Sequence, residues 1–211
     1  MGHAILHLSA YDESYVITLP SLHIEGLMSG APYVELEKSS YIVSTSGYTS
    51  RIDYSGRGWL SGKKNTFSAT LAKSDSPKDV LYTADGQWTE AFCIKNKNKK
   101  VVESCHLEIK DLPMPTVKDI NDQDPLESRK AWLKVAEAIK SGDMEATQRE
   151  KSIIENQQRE MRKKEKEEGK DWERKYFQRV EIDPVFDELA HLIGETAESE
   201  KTGGVWIWKG L

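Results

Sequence analysis

A chain of 211 residues with 30 Lys and Arg against 35 Asp and Glu carries a net charge of −5 and has room for one large domain or two small ones. Its pI is near 5.6 and its basic residues are interleaved with acidic ones, so it lacks the basic face of a nucleic-acid binder; nucleic acid is excluded as a partner and any anion site must be local. No apolar run approaches the roughly 20 residues of a membrane-spanning helix, which leaves peripheral contact as the only membrane role expected.

From Ala4 to Ile109 the chain reads as short segments rich in Tyr, Val, Ile, Thr and Ser: ILHL, YVITL, LHIEGL, YVELEKSSYIVSTS, YTSRIDY, NTFSATL, DVLYTADGQWTEAFCIK and VVESCHLEI. This predicts an antiparallel β meander. In YTSRIDY, Tyr48, Ser50, Ile52 and Tyr54 share one face while Thr49, Arg51 and Asp53 share the other, the alternation of a strand with one wet side. SGRGWLSGKKN, from Ser55 to Asn65, reads as a tight connection plugged by Trp59. Asp85 and Gly86 predict a hairpin turn of the Asp-Gly type, with Trp88 after it to lock the register. Cys93 and Cys105 show no CxxC spacing and read as buried thiols in a reducing, cytosolic compartment.

LPMPTVKDINDQD is a proline-containing polar connector, after which the pattern switches to helices. Strands first and helices after predict an α+β fold, with helices packed on one side of the sheet. The expected division is a sheet domain over 1–111, a connector over 112–123 and a helical C-terminal subdomain over 124–211. Asp124 can cap the first helix, Pro125 suits its first turn and Glu127 sits where a capping-box carboxylate reaches back. Trp132, Val135, Ala136 and Ile139 recur at helical spacing and predict a buried face against the sheet. Gly142 ends this helix and Asp143 starts a second, which becomes almost wholly charged from Arg159 to Lys175 and is expected to run through solvent. Trp206 and Trp208 near the terminus are expected to dock on the body.

Catalytic chemistry finds little support. The five histidines, His3, His7, His23, His106 and His191, show no HExxH spacing and no pairing with Cys. There is no GxSxG elbow, Walker loop or GxGxxG fingerprint, so neither an enzyme nor a metal or cofactor is expected. SGKKN reads as a basic hairpin loop rather than a phosphate loop, and His23 with Glu25 as a solvent-facing polar edge rather than a cavity wall. The remaining candidate is the row Lys151, Glu155 and Arg159, at i, i+4 and i+8 on one side of the second helix. Pairs at this spacing are ordinary surface decoration, stabilising a helix by about 0.2 to 0.5 kcal/mol each. Ile153 and Ile154, however, place apolar surface beside the row, so this part of the helix is expected near the sheet. A phosphate there would receive charge-assisted hydrogen bonds from Lys151 and Arg159, with Glu155 fixing their rotamers or accepting a ligand hydroxyl.

HIEGLMSGAPYVEL, GYTSRIDYSGRGWLSGKKN, LYTADGQW, DPLESRKAW and the helix bearing Lys151, Glu155 and Arg159 together resemble the later two thirds of the ligand domain of the oxysterol-binding protein-related lipid-transfer family, in its fungal form. The resemblance runs in order from Gly2 to Phe177. It implies an antiparallel β barrel around a lipid tunnel, incomplete here, followed by a helical C-terminal subdomain. It also implies a non-enzymatic exchange of a sterol or phosphatidylserine against phosphatidylinositol 4-phosphate between membranes, at the cytoplasmic, membrane-peripheral location of that family. In the family, a Lys, a Glu and an Arg spaced by four bind the phosphoinositide headgroup, and Lys151, Glu155 and Arg159 match them. The EQVSHHPP stretch, whose adjacent histidines grip the same headgroup, has no counterpart, and this sequence contains no His-His pair. The family's lid, tunnel-floor helices and first strands precede the matching region, so the chain is expected to be a truncated domain with an open sheet edge. The alternative is a structural fragment of the fold that binds no lipid.

Overall fold

A computed structural model describes residues 2–56, 62–107, 114–170, 172–194 and 203–209. The proposed plug at Trp59 lies outside them. Ten strands occupy the first half, close to the segments read from the sequence: β1 His3–Leu8, β2 Glu13–Thr18, β3 Ser21–Glu25, β4 Tyr33–Glu37, β5 Ser39–Ser44, β6 Tyr48–Ser55, β7 Thr66–Lys73, β8 Val80–Gln87, β9 Ala91–Asn96 and β10 Val101–His106. Eight of them form one antiparallel sheet in the order β1-β2-β5-β6-β7-β8-β9-β10, while β3 and β4 pair only with each other. The sheet is not closed, and β1 and β10 are its two edges.

Two local features depart from the sequence reading. YVELEKSSYIVSTS is two strands, because Lys38 adopts φ 67° and turns the chain out of the β3–β4 hairpin into the large sheet. Asp85 and Gly86 do not form a turn. They sit inside β8, where Gly86 pairs with Phe67 on one side and Phe92 on the other. A Cβ there would lie 2.3 Å from the Ala91 carbonyl oxygen and 2.5 Å from the Phe92 Cα, so the glycine serves close strand approach. The Phe67 and Phe92 rings meet edge to face across it at 5.6 Å. Cys93 and Cys105 are half-buried free thiols rather than fully buried ones.

The contacts divide the chain into two compact units, Met1–Leu112 with Phe177–Leu211, and Pro113–Tyr176, rather than at the boundaries expected from the sequence. In the first unit, α4 (Pro184–Ala190) lies on β2. Its start is specified by Asp183, whose Oδ1 accepts the backbone N–H of Val185 at 3.0 Å and of Phe186 at 3.1 Å, and by Pro184 in the first turn. Phe186, Leu189 and Ala190, spaced for one helix face, close over the cross-strand pair Val16 and Val43, both 0 % exposed. His3 stacks on Phe186 at 4.1 Å and its Nε2 lies 3.4 Å from Asp183 Oδ2, which ties β1 to the same helix. Trp206 and Trp208 are held by the pairing of β12 (Val205–Trp208) with β11 (Phe177–Val180), although both rings remain exposed.

The second unit is helical: α1 Ser128–Ala131, α2 Leu133–Ser141 and α3 Met144–Glu168. The Asp124 N–H donates to Glu127 Oε1 at 2.8 Å and the Leu126 N–H to Asp124 Oδ1 at 2.9 Å, but these bonds close a turn ahead of the helix: α1 starts at Ser128, with Glu127 rather than Asp124 at its N-cap and no side-chain cap bond. The buried face expected at Trp132, Val135, Ala136 and Ile139 needs correction. Trp132, at φ −100° and ψ 10°, separates α1 from α2, so its side chain falls out of register with the helix that follows. Val135 and Ala138 are buried, whereas Trp132 is 41 % and Ile139 59 % exposed. Phe186→Ala should therefore cost about 3 to 5 kcal/mol in urea unfolding, against about 1 kcal/mol for Trp132→Ala. Equal losses would contradict this assignment of the core.

Candidate functional site

Asp143 accepts the Ala146 N–H at 2.8 Å and starts α3, a helix of 25 residues that ends at Gly169 in the left-handed conformation, φ 64°. Gly142, at φ 74°, turns the chain between α2 and α3, and the two helices lie along each other. On α3 the structure brings Lys151, Glu155 and Arg159 together. Lys151 Nζ is 3.6 Å from Glu155 Oε1 and Arg159 Nη2 is 3.5 Å from Glu155 Oε2, one cation on each carboxylate oxygen. Arg159 Nη1 also donates to Asn156 Oδ1 at 2.9 Å. Both ion pairs exceed the usual hydrogen-bond length and all three side chains are exposed, so they contribute little stability. An ammonium has three donors and a guanidinium five, so one carboxylate oxygen apiece does not exhaust either cation. Beside the row Ile153 is exposed and Ile154 half-buried.

A second polar group lies on the β3–β4 hairpin. Ser21, His23 and Glu25 of β3 are cross-strand partners of Glu37, Glu35 and Tyr33 of β4, which puts six polar or aromatic residues on one face. His23 Nε2 lies 3.1 Å from Glu25 Oε1 and its Nδ1 3.8 Å from Glu37 Oε2. The Tyr33 hydroxyl donates to Glu25 Oε2 at 2.7 Å, and Lys64 Nζ sits 3.6 Å from the centre of the Tyr33 ring. Sequence reasoning did not single out Glu35, which is 1 % exposed and accepts the Asn65 N–H with both oxygens, at 3.0 and 3.1 Å. Gly56 leaves it the space, since a Cβ there would lie 2.8 Å from Glu35 Cγ. The signal available was the alternation of His23 and Glu25 in one strand with Glu35 and Glu37 in the next. The opposite face carries Leu22, Ile24 and Val34, all exposed. Among the described residues no group of three or more His, Cys, Asp or Glu is arranged to hold a metal.

The Tyr33 hydroxyl, and after it the His23 ring, hold the Glu25 carboxyl below its ordinary value of 4.5. A depressed carboxyl contributes stability above its unfolded value and loses it as the pH falls through the folded one. Tyr33→Phe should thus move the Glu25 titration midpoint up towards 4.5, as followed by carbon-detected NMR. An unmoved midpoint would remove the Tyr33 hydroxyl as the cause.

Comparison with known proteins identifies the family. A family model described as oxysterol-binding protein matches residues 1–137. Protein kes1 of Schizosaccharomyces pombe is 38 % identical over 99 % of this chain and 54 % of that protein, and Protein KES1 of Mycosarcoma maydis is 39 % identical over 90 % of this chain and 50 % of that protein. The chain thus spans about half the length of these relatives. Among solved structures, the Osh1 ORD domain in complex with cholesterol matches 94 % of this chain and 49 % of its own, with a TM-score of 0.61 at 17 % identity. The Osh3 ORD of Saccharomyces cerevisiae in complex with PI(4)P matches 83 % of this chain and 49 % of its own, with a TM-score of 0.57 at 21 % identity. At those identities the structures speak for the fold alone. By the family match and by its similarity to both fungal relatives, the chain belongs to the oxysterol-binding protein family.

Proposed function

We propose that this chain binds and transfers lipid, exchanging a sterol or phosphatidylserine against phosphatidylinositol 4-phosphate between membranes, with Lys151, Glu155 and Arg159 as headgroup ligands. Membership of the family supports lipid binding, and related domains have been solved with cholesterol, with ergosterol and with PI(4)P. The observation that carries the headgroup assignment is the fork at Glu155, which holds one cation on each oxygen at 3.5 to 3.6 Å. A carboxylate used in this way keeps Lys151 and Arg159 facing the same space without neutralising either. A phosphomonoester entering that space accepts from both, and Glu155 is placed to accept a ring hydroxyl. Contact with the bilayer would be peripheral, since among the described residues no helix is long and apolar enough to cross a membrane.

Vesicle flotation tests this reading. Binding to phosphatidylcholine vesicles should rise when phosphatidylinositol 4-phosphate is included, and Lys151→Ala or Arg159→Ala should reduce the increment by about tenfold. Lys163 and Lys164 pair with Glu167 and Glu168 further along the helix, and their alanine variants should change it by less than about twofold. Equal effects of all four substitutions would reduce the row to diffuse surface charge. No dependence on the phosphoinositide at all would leave the chain a structural element of the fold.

A further inference from the structure

The face of α3 that carries the headgroup row does not end at Arg159. Counting 100° per residue, Gln158 and Arg162 fall within about 20° of Lys151 around the helix axis, so the same face continues towards the C-terminus. There, within the Pro113–Tyr176 unit, it opens into a cavity of about 520 Å³. Gln158 and Arg162 form one wall, and Arg174, beyond the helix end at Gly169, contributes a second guanidinium. Trp172, Met161 and Leu126 supply apolar surface to the same space, and both Trp172 and Leu126 are more than half exposed.

The sequence predicts that this stretch runs through solvent as an almost wholly charged helix. Gly169 instead ends the helix in the left-handed conformation, and the following segment brings Trp172 and Arg174 to the cavity beside Arg162. We propose that this cavity is a binding site for a phosphate ester carried on an apolar body, distinct from the Lys151, Glu155 and Arg159 row. Guanidinium forks match a phosphate's oxygens, and the Gln158 amide is a further donor. The indole and the Met161 thioether suit a flat or aliphatic substituent. Glu165 also lines the cavity, so two Arg and one Glu leave a formal charge of +1 there. That single net charge makes a bare phosphate a poor ligand, and the apolar wall must supply the rest of the affinity. The site stands independently of the headgroup assignment, since no member of the row lines the cavity.

The chemistry fits both a small soluble phosphate ester and the headgroup region of an anionic phospholipid, and the test has an arm for each. The full chain is titrated with phenyl phosphate and with inorganic phosphate by calorimetry, and floated with phosphatidylcholine vesicles with and without phosphatidic acid. Phenyl phosphate should bind about tenfold or more tightly than inorganic phosphate, because only it buries an apolar ring. Arg162→Ala and Arg174→Ala should each weaken binding by about tenfold, with Arg162→Lys intermediate because it keeps the charge and loses the fork. Lys151→Ala should leave it within about twofold, the effect expected of a distant screened charge. An unchanged circular dichroism spectrum identifies the variants that remain folded. The same pattern with phosphatidic acid vesicles would assign the site to a lipid surface, and the pattern with phenyl phosphate alone to a soluble ester. Failure of both ligands to bind, equal losses from Lys151→Ala and Arg162→Ala, or equal affinity for inorganic and phenyl phosphate would overturn the proposal. Loss in Lys151→Ala alone would leave the headgroup row standing and remove this site.

Discussion

The contact of α4 with the Val16 and Val43 pair organises the sheet-bearing unit. Strands rich in Ser, Thr and Tyr make a sheet whose residues are mostly half-buried, and β10 at one edge is largely exposed. At the β1, β2 and β5 end, by contrast, Phe186, Leu189 and Ala190 close over two valines with no exposed surface. That seal is why Phe177–Leu211 groups with the strands, although it follows the helices in sequence. It also recruits β1, through the stacking of His3 on Phe186 and the approach of its Nε2 to the capping Asp183. Removing the apolar face of one short helix would therefore loosen the edge strand β1 together with β2 and β5.

A different economy governs α3. It has no buried residue, yet it runs for 25 residues between an Asp cap and a left-handed glycine. Its continuity rests on caps, on strong helix formers and on ion pairs at i, i+4, each contributing about 0.2 to 0.5 kcal/mol. Interactions that weak are readily exchanged. A charge-assisted hydrogen bond to phosphate contributes about 1.5 to 3 kcal/mol when partly shielded from water, so under the proposed role an incoming headgroup would outcompete the resident ion pairs without disturbing the helix. An exposed, preordered and weakly committed pair of cations is thus suited to repeated binding and release.

Much of this was legible because each element announces itself locally. Period-two patterning located the strands, and Asp143 marked a helix start that the hydrogen bonds reproduce, whereas Asp124 and Glu127 close a turn just ahead of α1. The Lys151, Glu155 and Arg159 row needed only the helical repeat. The misses came where a distant neighbour decides. Nothing in the side chain of Lys38 announces a positive φ, so the break between β4 and β5 was silent. Asp85-Gly86 looks like a turn until Phe67 and Phe92 arrive from neighbouring strands to meet across the glycine. Trp132 fitted a helical stripe, but the stripe assumed one helix where the backbone makes two. The Asp183-Pro184 start of α4 carried a readable cap signal, obscured by the expectation that the sheet would be covered by the first helix instead.

The central claim is that Lys151 and Arg159 grip one phosphorylated headgroup together, with Glu155 holding them in place. A double-mutant cycle with glycerophosphoinositol 4-phosphate, the soluble deacylated headgroup, addresses it directly. Affinities of the unmodified chain, Lys151→Ala, Arg159→Ala and the double variant are measured by calorimetry. If both cations bind one anion, the losses should be non-additive by more than about 0.5 kcal/mol, as for residues sharing a partner. Losses that add to within about 0.5 kcal/mol would show two independent surface charges and contradict a shared headgroup site.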